Sequence, residues 1–99
     1  ELAIGQEVAQ ARRERQAAAE ALASAARAAA AAREALELVR LRRDAGLATQ
    51  IEVITAQGER AEAEESQIRA RYEGLLASAR LAQARGQAVS FLRMVVEGR

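Results

Sequence analysis

A chain of 99 residues with 51% hydrophobic content fits one small domain, yet 27 of those residues are alanines, which bury little area apiece. There is no Pro, Trp, His or Cys, and 15 basic residues, all arginine, nearly balance 14 acids for a net charge of +1. The composition favours extended helices over a globular core, rules out disulfides and removes the commonest metal ligands and nucleophile–base pairs. The charges form no basic block of the kind that nucleic acid or an anionic membrane surface selects.

The first predicted element is a helix over residues 2–44. Ile4, Val8, Ala11, Arg15, Ala18, Leu22, Ala25, Ala29, Ala32, Leu36 and Val39 recur at alternating spacings of three and four, the mark of a helix with one face on a partner. Arg15 is the only charged interruption. The longest apolar run, Ala28 to Ala32, is far too short to cross a bilayer. With no initiator Met and no signal peptide at its start, the sequence reads as a segment of a larger protein.

A turn over residues 45–49 follows. Gly46 can take the left-handed conformation that closes a helix, and Arg40, Arg42 and Arg43 complement the carbonyl end of the helix dipole. Thr49 and Glu52 fit a capping box, in which each side chain satisfies the other's backbone amide at the start of the next helix. Leu47 lies between the two helix ends with little to pack on.

The second predicted helix runs from Thr49 to about Val96. Its apolar row is Ile51, Ile54, Gly58, Ala61, Glu65, Ile68, Tyr72, Leu75, Ala79, Ala82, Gly86 and Val89, again spaced three and four. Two rows of one period either side of one turn predict an all-α fold, a long antiparallel helical hairpin of coiled-coil type. Gly58 and Gly86, on this row, are expected to permit close helix approach; Gly74 lies off it and has no such reason. Leu38, Leu41 and Val53, extended by Leu76, Phe91, Leu92 and Val95, form a second apolar stripe that implies neighbours beyond the hairpin partner.

Chemistry is sparse. Glu62, Glu64 and Glu65 could in principle hold a cation, but Arg60–Glu64 and Glu65–Arg69 pairs one turn apart account for them as a solvated face. Ser24, Ser66, Ser78 and Ser90 have no base within reach. No catalytic, metal-binding or cofactor-binding residue is expected, and neither is an enzyme.

The stretch Arg43-Asp44-Ala45-Gly46-Leu47-Ala48-Thr49-Gln50-Ile51-Glu52-Val53-Ile54-Thr55-Ala56-Gln57 resembles the tip of the long helical hairpins in TolC-family outer-membrane efflux proteins. Those tips typically carry an aromatic residue or Arg, then Gly, a Ser or Thr three residues on, Asp after three more, then Val-Leu and Ala-Gln. Gly46, Thr49, Glu52, Val53, Ile54, Ala56 and Gln57 occupy those places. Ala35 to Arg40, Ala70-Arg71-Tyr72, Ala79 to Ala82 and Val89 to Arg93 are similar too, so the likeness covers residues 35–93 well and residues 1–34 mostly by alanine-rich character. Glu52 departs from the usual Asp, Arg43 stands where Tyr or Phe is common, and no β-strand segment is present.

The resemblance implies a periplasmic hairpin of a trimeric outer-membrane tunnel in a Gram-negative bacterium, packed with other hairpins into an α-helical barrel. Its tip would meet the periplasmic adaptor of an export pump: Leu47 as an apolar contact, Gly46 by close backbone approach, Arg43 and Thr49 through hydrogen bonds. For Gly46 and Thr49, capping alone is the competing explanation. Two other readings stand beside this one. An adaptor's own hairpin would carry Arg43 and Leu47 at matching places but a Ser where Ile54 stands. A generic coiled-coil scaffold would need no tip chemistry.

Overall fold

The computed structural model describes residues 2–98. Two helices account for nearly all of them, α1 (Leu2–Asp44) and α2 (Gln50–Glu97), and no strand occurs among the described residues. The chain is a helical hairpin, and the two helix ends at the turn, Asp44 and Gln50, fall where Gly46 and Thr49 place them.

Contacts group into two units. The first joins Glu1–Glu20 with Tyr72–Arg99, the second is Ala21–Arg71 and contains the turn. In the second unit, Leu36, Val53 and Ala56 are buried together, with Val39 packed against them. Val53 is completely buried, the largest side chain to be so among the described residues. In the first unit, Ala11, Leu81 and Ala84 form the core, with Val8 against it. Each core holds two or three branched side chains among alanines, so each buries little apolar area at about 25 cal/mol per Å².

On α1 the row anticipated from sequence is the row the hairpin uses. Ile4, Val8, Ala11, Ala18, Leu22, Ala25, Ala29, Ala32, Leu36 and Val39 are all buried or half-buried, while Arg15 turns out to solvent. Exposure keeps its guanidinium hydrated, as expected for a long cationic side chain at a seam.

On α2 the anticipated row is on the wrong face. The seam is Val53, Ala56, Arg60, Ala63, Gln67, Ala70, Gly74, Ala77, Leu81, Ala84, Ala88 and Phe91, every one buried or half-buried. The row from Ile51 to Val89 is exposed throughout. The two rows share one period but are offset by two residues, about 200° around a helix at 100° per residue. The row from Ile51 to Val89 therefore runs along the back of α2, away from α1. The expected second stripe is corrected in two members: Val53 and Phe91 belong to the seam, whereas Leu38, Leu41, Leu76, Leu92 and Val95 are exposed off it, as that stripe requires.

Glycine roles change as well. Gly58 and Gly86 lie on the exposed back, and a Cβ at either would meet nothing within 4 Å, so hairpin packing does not call for them. Gly74 is half-buried on the seam, yet a Cβ there would also meet nothing within 4 Å. Alanine is the better helix former by up to about 1 kcal/mol. Gly74→Ala is therefore expected to raise the thermal midpoint by a few degrees, and a lowered midpoint would show that the site needs glycine after all.

Arg60 is a polar member of the seam. Its Nη1 lies 3.5 Å from Glu64 Oε1, and Glu64 Oε2 accepts from Arg33 Nε of α1 at 2.8 Å. Arg60 Nε is buried without a partner. Partly exposed ion pairs such as Arg33–Glu64 contribute only about 0.2–1 kcal/mol. Their value lies in register, because the Arg33–Glu64 pair links the two helices in one alignment and is lost in a slipped one.

Candidate functional site at the hairpin tip

Six residues close α1. Leu47 N donates to Arg42 O at 2.7 Å and Gly46 N donates to Arg43 O at 2.9 Å, the two bonds of a Schellman motif. The motif needs a left-handed residue at its fifth place, and Gly46 supplies it with φ +78°, the only positive φ among the described residues. Arg42 Nη2 also donates to Leu47 O at 3.3 Å, which ties the outer peptide of the turn back to the helix end.

The start of α2 is fastened reciprocally. Glu52 N donates to Thr49 Oγ1 at 3.2 Å, and Thr49 N donates to Glu52 Oε2 at 2.7 Å. The capping box read from sequence is formed in full. The hydrogen bond from the Thr49 amide holds the Glu52 carboxyl below the usual glutamate range; desolvation opposes it, and the Thr49 hydroxyl and the nearby Arg42 charge add smaller lowering effects.

A lowered folded-state value has a definite sign. The box contributes its stability above the ordinary glutamate range and loses it as the pH falls through the depressed value. Acid titration of helicity is expected to show a loss in that window that is absent in Glu52→Gln, whose amide oxygen cannot change charge. Equal acid responses in the two proteins would remove Glu52 from the transition.

Arg43 reaches across the turn. Its Nη1 donates to Gln50 Oε1 at 3.1 Å, and its Nε and Nη2 lie 3.4 and 3.3 Å from Asp44 Oδ1. The guanidinium is half-buried, so this cation joins the end of α1 to the start of α2. Of the four tip residues anticipated as partner contacts, Arg43, Gly46 and Thr49 are thus engaged in building the turn. Leu47 is different: it is 70% exposed and only its backbone takes part in the closure.

Leu47 is not alone. Leu38, Leu41, Ile51 and Ile54 are all more than half exposed on the helices flanking the turn, Ile51 at 74%. Ile51 and Ile54 belong to an apolar row whose period alone points to the hairpin seam, yet both face outward. The signal that distinguishes them is the next row over, in which Val53 and Ala56 can meet Leu36. Away from the tip, Glu64 and Glu65 face Arg60 and Arg69 as the one-turn pairs predicted, and no group of three acidic residues among those described could hold a metal ion.

Comparison with protein-family models, with curated proteins and with solved structures finds no match to this chain.

Proposed function

We propose that the hairpin is a wall segment of a TolC-like outer-membrane efflux or secretion tunnel, in the periplasm of a Gram-negative bacterium, that docks a periplasmic adaptor at its tip. In this reading its role is passive conduction and recognition, with no catalysis and no cofactor, and hairpins associate side by side in the parent trimer. The observation that carries it is Leu47, a large aliphatic side chain presented outward on a turn closed by two backbone bonds and a complete capping box. A rigid turn presenting an apolar side chain loses little conformational entropy on docking, which is how a small contact gains affinity. Arg43, Gly46 and Thr49 serve by holding Leu47 in place.

The test is binding of the chain to a purified periplasmic adaptor. Leu47→Asp is expected to weaken it at least about tenfold, since a buried leucine is worth about 1.5–3 kcal/mol and a buried carboxylate adds a desolvation cost. Helicity by circular dichroism should not change, because the Leu47 side chain has no part in the turn's hydrogen bonds. Unaltered binding in this variant would take the tip out of the mechanism. The exposed back of α2 favours a second reading, a helical scaffold that works by lateral assembly alone, for which Leu47→Asp is silent.

A further inference from the structure

We draw no further inference here: the strongest candidate, the exposed apolar row of Ile51, Ile54 and Ile68 on the back of α2 in the unit that holds the turn, is a helix face without a partner, and nothing in the structure shows what covers it.

Discussion

Val53→Asp is expected to unfold the tip half of the hairpin, while Ile54→Asp, one residue along, leaves the hairpin's own stability nearly unchanged. Val53 is completely buried against Leu36 and Ala56, and Ile54 is 57% exposed on the back of α2. A carboxylate at residue 53 would lose its water with no cation beside it in the core, and would also delete the packing of the valine. Together these place the cost at about 3 kcal/mol or more, large against the stability of so thin a core. At residue 54 the carboxylate stays hydrated, and the change should lie within about 0.5 kcal/mol when measured on chains dilute enough to be monomeric. Urea denaturation followed by circular dichroism gives both numbers. Amide exchange should place the Val53→Asp loss in Ala21–Arg71 first. If Ile54→Asp proved the more damaging of the two, the hairpin would be using the other face of α2.

That pair of variants bears on how the fold could be read from sequence. The helices, the turn and the α1 seam were legible because each has a local cause: Gly46 for the left-handed closure, Thr49 and Glu52 for the box, and a single apolar row on α1. The face of α2 was not legible, because α2 carries two rows of identical period. The larger side chains, Ile51, Ile54, Ile68, Tyr72 and Leu75, sit in the row the hairpin leaves out. The row it uses contains Arg60, Gln67 and Gly74, which look like solvent positions when apolar residues are counted. What decides between them is three-dimensional. The five-residue connection, closed at both ends by hydrogen bonds, fixes the rotation of α2 so that Val53 is its first residue to meet Leu36.

The tip residues were legible as a set but not in their division of labour. Arg43, Gly46, Leu47 and Thr49 were all candidates for contact with a partner. Only a structure with side chains separates the three whose polar groups or backbone build the turn from the one that faces outward. Arg43 is the instructive case. Its position at the end of α1 predicted an interaction with the helix dipole, whereas its guanidinium reaches seven residues on to Gln50. A cation that bridges the two helix ends cannot be inferred from the sequence of either helix alone.

Gly46 is a position at which a single added methyl group should be costly on conformational grounds alone. Its φ of +78° lies where a Cβ crowds the following carbonyl, a penalty of about 1–2 kcal/mol for an ordinary residue and more for a β-branched one. Space is not the limitation, since a Cβ there would meet nothing within 4 Å. The cost is therefore purely one of backbone conformation, and it should follow a predictable order. Gly46→Asn, which tolerates the left-handed region, is expected to lose least, Gly46→Ala about 1 kcal/mol or more, and Gly46→Val the most. The consequence reaches past stability. If the turn relaxes to relieve the strain, the bonds from Leu47 N to Arg42 O and from Gly46 N to Arg43 O are lost together, and Leu47 is no longer held outward. Adaptor binding in the three variants should then fall in the same order as the thermal midpoint. A Gly46→Val variant that kept the wild-type midpoint would mean that the turn can close without a left-handed residue, and the account of how Leu47 is positioned would have to be replaced.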